Sequence, residues 1–199
     1  MTARLALALD LAGLAILFGW RSWRQHRRTG STGFRGPSGR AGSREWWGGV
    51  LFAVAVLLGV LAPVLATTGV LTATPHPVIA GIGLAMTLTG FSLTLAAQEN
   101  MGDAWRIGVD PDERTQLVTA GVFGRVRNPI FSALVLGQVG MVLLVPTWLN
   151  ALSLLALLVA VQIQVRAVEE PYLMALHGEA YQTYCRQSGR FLPRLSSNG

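Results

Sequence analysis

The chain has 199 residues, 51% of them hydrophobic and only 13% charged, with a mean hydropathy of +0.45. That is too apolar for an ordinary soluble domain and points to a membrane protein. The formal net charge is +6 and all 16 basic residues are arginine. This balance raises nucleic-acid binding, but the placement of the arginines argues against it.

Leu5–Trp20 is a short apolar run carrying Asp10. Asp10 interrupts it and no small-x-small site clearly precedes the next arginines, so a retained helix is expected rather than a cleaved leader. Residues 21–45 read as a basic loop with Gly30, Gly33, Gly36, Gly39 and Gly42 at a period of three. Five triplets with one proline are too few for a collagen helix, so a flexible segment is predicted, with arginines that reach anionic headgroups. Val50–Thr72 and Val78–Ala97 exceed the ~18 apolar residues that a span requires. The second of these is rich in Gly, Ala, Ser and Thr, which predicts a central, protein-buried span. Gln98, Glu99 and Asn100 follow, either as interface polar groups or as a site wall.

Residues 101–128 form the largest inter-span loop, with a turn signal at "DPDE" (110–113) and a short extended stretch at "QLVTAGVF". Ile130–Val145 and Ala151–Val165, separated by "PTWLN", predict a tight helical hairpin. Leu173, Leu176, Tyr181 and Tyr184 then approach helical spacing, which predicts an amphipathic surface helix stopped by Pro193.

The expected fold is all-α: one polytopic membrane domain over residues 1–199 with about five transmembrane helices. Residues 1–97 hold three spans, and residues 98–199 hold a cytoplasmic cofactor-binding region. Five spans put the arginine-rich segments 21–44, 106–127 and 166–194 on one side, with Arg4 the single dissenter. This positive-inside pattern places the N-terminus outside and the C-terminus in the cytoplasm, in a cell (inner) membrane. Topology thus accounts for the charge, and no nucleic-acid partner is expected. Cys185 is the sole cysteine, so no internal disulfide forms.

Two stretches carry candidate chemistry. In "RVRNPIF", Asn128 suits a helix N-cap and Pro129 the first helical position. The free N–H groups at a helix start, with Arg125 and Arg127 just before it, make an anion site. A capped helix flanked by topogenic arginines fits the same residues. In "VEEPY", Glu169 and Glu170 lie at the end of an apolar helix, where two carboxylates are costly without a partner. Arg125 and Arg127, which the hairpin brings to the same side, can supply that partner, as can Arg166 or a cationic ligand. No metal site is expected. Trp105, Phe123, Tyr172, Tyr181 and Tyr184 stand ready for stacking or cation–π contact, or as interface anchors.

The order "LVTAGVFGRVRNPIF" and then "EEPYLMALHGEAYQTYCRQSGRFLPRL" resembles the isoprenylcysteine carboxyl methyltransferase family. That family belongs to a wider group of membrane methyltransferases that includes phospholipid methyltransferases. The matching positions are Thr119, Gly121, Phe123, Arg127, Asn128, Pro129 and Phe131, then Glu169 and Glu170, then Gly178, Tyr181 and Tyr184. "MGDAWRIGV" (101–109) resembles a further stretch, and the likeness spans roughly residues 98–195. Asn128 stands where the family commonly has His, and Phe123 and Phe131 where it has Tyr.

The resemblance implies S-adenosylmethionine as cofactor. It implies Arg127 and the helix start at Asn128–Pro129, with Gly121 in the same stretch, for the methionine carboxylate. It implies Glu169 and Glu170 for the amino group or ribose, and Leu117, Val118, His177 and Tyr181 for adenosine. On its own residue type His177 reads first as a surface helix residue. Arg127 and Glu170 are the candidate catalytic pair. A thiol, amine or hydroxyl acceptor must lose a proton, for which Glu170, Glu99 and His177 are candidates. The acceptor is expected to be lipophilic and to enter from the bilayer, with membrane lipids as neighbours. Two alternatives stand beside this one: an NADPH-dependent reductase of the sterol reductase type, and a non-enzymatic scaffold or transport subunit. Asp10, Gln138, Gln162 and Gln164 are too scattered for a transport path, and the two last suit inter-helix hydrogen bonding.

Overall fold

A computed structural model describes residues 1–33, 39–105 and 117–194. The "DPDE" turn, Arg35, Arg106 and Arg114 lie outside the described residues. Six helices organise the rest: α1 (Thr2–Thr29), α2 (Arg44–Thr67), α3 (Pro77–Met101), α4 (Pro129–Leu144), α5 (Trp148–His177) and α6 (Glu179–Gln187). Among the described residues the secondary structure is helical, apart from an isolated parallel bridge between Val126 and Gly189.

α1, α2, α3 and α5 are long and apolar enough to cross a membrane. α4 is apolar but has 16 residues, about 24 Å of rise against about 30 Å of hydrocarbon. The chain is therefore an integral membrane protein with four long apolar helices and a shorter fifth.

The starts follow local chemistry. Ser43 Oγ accepts from Trp46 N–H at 3.2 Å and opens α2. Thr147 Oγ1 accepts from Asn150 N–H at 3.3 Å and opens α5. Pro77 and Pro129 occupy the first turns of α3 and α4, where a missing N–H costs nothing. α1 ends at Gly30, whose φ of +76° directs its N–H to His26 O.

Two expectations about pairing change. The glycines of the third span do lie in a helix interface, but their partner is α4. A Cβ on Gly90 would stand 2.6 Å from Gly137 Cα, and one on Gly140 would stand 2.6 Å from Gly83 O. Such close approach is how apolar helices associate where burial from lipid offers no drive. The predicted α4–α5 hairpin is adjacent in sequence, yet the main partner of α4 is α3 and that of α5 is α2. Polar glue joins α4 to α5 and α5 to α2. Gln138 Nε2 donates to Ser153 Oγ, whose hydroxyl donates to Ala55 O at 2.7 Å. Gln162 and Gln164, expected to do this, bond within their own helix to Arg166 and Glu169.

The "basic loop" at 21–45 is also revised. Its first nine residues continue α1, and Arg21 is only 1% exposed. The amphipathic tail helix exists, but Gly178, at φ +51° and ψ −121°, divides it into the end of α5 and a separate α6. α6 ends at Gln187, before Pro193.

Candidate functional site

The site assembles where the start of α4, the far end of α5 and the segment after α6 meet. Arg127 N–H donates to Gly189 O at 2.8 Å, Asn128 N–H to Arg190 O at 3.1 Å, and Gly189 N–H to Arg125 O at 3.0 Å. These bonds clamp the C-terminal segment against the entry to α4. Ser132 Oγ adds a bond to Phe191 O at 2.6 Å. Asn128 takes the N-cap position, but its side chain does not cap. Its Nδ2 donates to Arg190 O at 3.1 Å instead. The predicted cap is thus a cross-link between distant segments.

Glu170 is the centre of charge. Arg190 holds both its oxygens, Nε to Oε1 at 2.7 Å and Nη2 to Oε2 at 2.9 Å. Arg127 Nη2 reaches Oε1 at 3.4 Å. Arg127 Nη1 donates to Ser188 O at 2.6 Å and to Cys185 O at 3.2 Å. Those carbonyls belong to the C-terminal end of α6, which favours a cation. Arg127 Nε is buried and has no hydrogen-bond partner. Two guanidiniums around one carboxylate leave one positive charge in excess, beside the positive end of α4. The Glu170 bond also holds the Arg190 guanidinium above its ordinary range.

The carboxylate pair does not sit at a helix C-terminus, as the sequence suggested. α5 continues through a π-turn at Gln164–Glu169 and ends at His177. Pro171 has no N–H to donate back along the helix, and a π-turn just before it accommodates that loss. Glu170 lies 22 residues beyond Trp148, about 33 Å along the axis and therefore near the edge of the hydrocarbon. Of the expected arginines Arg127 is its partner, joined by Arg190, and Arg125 and Arg166 are not. Glu169 takes a different neighbour, Gln164 Nε2, at 3.4 Å.

Tyr181 is 2% exposed and sits among Cys185, Glu170 and Arg127. Burial pushes its phenol well above the ordinary value. Tyr184, also buried, donates to Phe123 O at 2.7 Å and ties α6 to the turn at Gly121–Gly124. Burial lifts its phenol to about 12. "QLVTAGVF" is not extended throughout: residues 117–119 are irregular and Gly121–Gly124 form a 3-10 turn. Gly121 is required there by a φ of +61°, and Asn100 Oδ1 packs where a Cβ would stand.

A cleft of about 630 Å³ opens beside this turn, lined by Leu117, Thr119, Gly124, Glu179, Thr183 and Tyr184 among others. Leu117 is the one predicted adenosine-pocket residue that lines it. Val118 is half-buried nearby in sequence, and His177 ends α5 with a buried Nε2 that lacks a hydrogen-bond partner. The structure thus gathers Arg127, Asn128, Pro129, Glu170 and Tyr181 into one cluster and places Leu117 and Gly121 on the adjoining segment. Sequence reasoning missed Arg190. The signal was an arginine directly after Gly189 and three residues before Pro193, which the charge pattern counts only as a topology residue.

A sequence model of the phospholipid methyltransferase family matches residues 78–180. That is just over half the chain, running from α3 through Glu170 to the start of α6. The chain belongs to the phospholipid methyltransferase family. The family is related to the isoprenylcysteine carboxyl methyltransferases, so the match falls within the group that the motifs resembled. Family membership and the long apolar helices together make this chain a member of a membrane methyltransferase family. No curated protein matches it. Tyr181, Tyr184 and Arg190 lie beyond the matched residues of this phospholipid methyltransferase family member.

Proposed function

We propose that the protein is a S-adenosylmethionine-dependent methyltransferase whose acceptor is a lipophilic molecule of the bilayer. The observation that carries this reading is the meeting of Arg127, Glu170 and Arg190 at the start of α4, two of them inside a stretch that matches a methyltransferase family. S-adenosylmethionine supplies a sulfonium-bound methyl group for direct displacement. The residues present fit its amino-acid end. The unspent Arg127 Nε and the α4 N-terminus at Asn128–Pro129 suit a carboxylate. Three donors occupy Glu170, so one of its roughly four lone-pair sites remains for an ammonium or hydroxyl. Glu169 stands beside it for the same task. Leu117, Val118, His177 and Tyr181 would border the adenosine.

The protein's contribution is then orientation and exclusion of water. Glu170 and Arg127 hold the donor in line, and Tyr181 walls the cluster off from solvent. A carboxylate acceptor needs no proton removed; a thiol, amine or hydroxyl does, and of the three candidates Glu170 and His177 belong to this region, whereas Glu99 is paired with Arg24 at the end of α3. We place the cofactor entrance on the cytoplasmic side, with the N-terminus outside and α4 crossing as the fourth of five spans. The arginine distribution motivates this orientation.

Purified protein challenged separately with S-adenosylhomocysteine and NADPH tests the cofactor. Thermal stabilisation by the first supports the reading; stabilisation by NADPH alone overturns it. Radiolabelled methyl transfer into a lipid extract tests the acceptor class, with Glu170→Ala as comparison. A water-soluble acceptor methylated as fast in detergent as any lipidic one removes the bilayer route.

A further inference from the structure

A second buried ionic cluster lies apart from Glu170, at the junction of α1 with the end of α3. Arg21 is 1% exposed, and its guanidinium donates to Gly102 O at 2.7 Å, Gln98 O at 3.4 Å and Gln25 Oε1 at 2.9 Å. It also stacks 4.6 Å from the centre of the Trp105 ring, and Trp105 is itself 3% exposed. Glu99 closes the cluster, 3.8 Å from Arg21 Nε and ion-paired with Arg24. Burying a guanidinium is costly, so a fully enclosed one that spans two helices is not explained by membrane topology.

α1 is distorted to make this contact. A π-turn occupies Ala15–Trp20, and the Arg21 N–H turns to Ile16 O rather than Leu17 O. Leu17 O is thereby released, and Gln98 Nε2 donates to it at 3.0 Å. Such π-bulges concentrate at functional positions. The far side of the α3 end bears on the candidate site. Asn100 packs against Gly121, whose turn presents Phe123 O to Tyr184 and leads into Arg127.

We propose that Arg21 is a positioning residue: it fixes the α3 terminus from Gln98 to Trp105, and through the Asn100–Gly121 contact it sets the turn that carries Phe123 and leads to Arg127. α1, outside the family-matched residues, thus contributes to the geometry of the site. Only the binding arm of the test rests on the cofactor reading.

The test compares wild type, Arg21→Leu, Arg21→Lys and Gly13→Ala, all full-length and purified in detergent. Gly13→Ala is the control: its Cβ would meet the Phe91 ring at 2.7 Å, disturbing α1 packing elsewhere. Hydrogen exchange is read on peptides covering 119–128. The expected result is faster exchange there in Arg21→Leu and Arg21→Lys, because an ammonium lacks the fork and the stacking plane, with no change in Gly13→Ala. S-adenosylhomocysteine affinity, measured by calorimetry well below the melting temperature, is expected to fall roughly 2- to 30-fold in the Arg21 variants only. Unchanged exchange at 119–128 in Arg21→Leu, or an equal change in Gly13→Ala, overturns the proposal. If wild type fails to bind S-adenosylhomocysteine, the cofactor reading falls while the exchange arm still decides the role of Arg21.

Discussion

Arg190 grips Glu170 with both prongs of its guanidinium, at 2.7 and 2.9 Å, from a segment that follows α6. The pair closes the C-terminal segment onto α5. Its side chains are 34% and 19% exposed, so solvent screens part of the attraction.

Arg190→Leu is expected to lower stability by about 1–2 kcal/mol, since charge-assisted bonds are stronger than neutral ones but this pair is partly wet. Arg190→Lys should recover less than half of the loss, because a single ammonium cannot reproduce the fork. Thermal unfolding in detergent measures both. Full recovery by lysine would show that charge alone matters here.

Asn128 separates two roles that one position can play. If its side chain capped α4, Asn128→Ser would preserve stability. It bonds Arg190 O instead, so Asn128→Ser and Asn128→Ala should destabilise equally, by about 1 kcal/mol. Equal melting temperatures for the two variants, both below wild type, are the expected reading.

Gly90 lies where a Cβ would stand 2.6 Å from Gly137 Cα and 2.7 Å from Ala133 O. Backbone cannot yield as a flexible side chain would. Gly90→Ala should cost about 1–3 kcal/mol by overpacking. Gly81, on the same helix with open space around it, is the control: Gly81→Ala should be neutral or stabilising. Comparable losses at both positions would refute close α3–α4 packing.

Much of this was legible in the sequence because it is local. Asn128–Pro129 marks a helix start through backbone chemistry contained in two residues. Apolar run lengths gave the long helices for the same reason. Arg127 was legible as a partner of Glu170, but Arg190 was not, since it approaches only after the break at Gly178. Nor was the choice of helix neighbours: hydropathy says that α4 and α5 are apolar, not that α4 prefers α3. The small residues of α3 hinted at an interface without naming the other side. Arg21 looked like its neighbours in a charged run, and only burial distinguishes it.

Tyr184 gives a pH prediction. Its folded-state phenol titrates near 12, above the ordinary value of 10, because burial disfavours the charged form. Between those values the unfolded chain has lost a proton that the folded chain keeps. Stability is therefore full below about pH 10 and declines as pH rises toward 12. Tyr184→Phe should lose about 1–2 kcal/mol at neutral pH, with Phe123 O left unpaired, and should decline less steeply in alkali. Melting temperatures from pH 8 to 11.5 would record the difference; parallel curves would count against it.

The π-turn in α5 has a consequence for how such a helix can be altered. One additional residue in a turn rotates all that follows by about 100° relative to an unbroken α-helix. The stretch facing lipid and the stretch facing Arg127 and Arg190 are therefore phased independently. Because of that offset Glu170, rather than Glu169, points at the arginines. The bulge acts as a register joint: straightening it at constant length would present Glu169 instead, whereas removing the one extra residue would restore a regular turn and leave Glu170 facing the arginines.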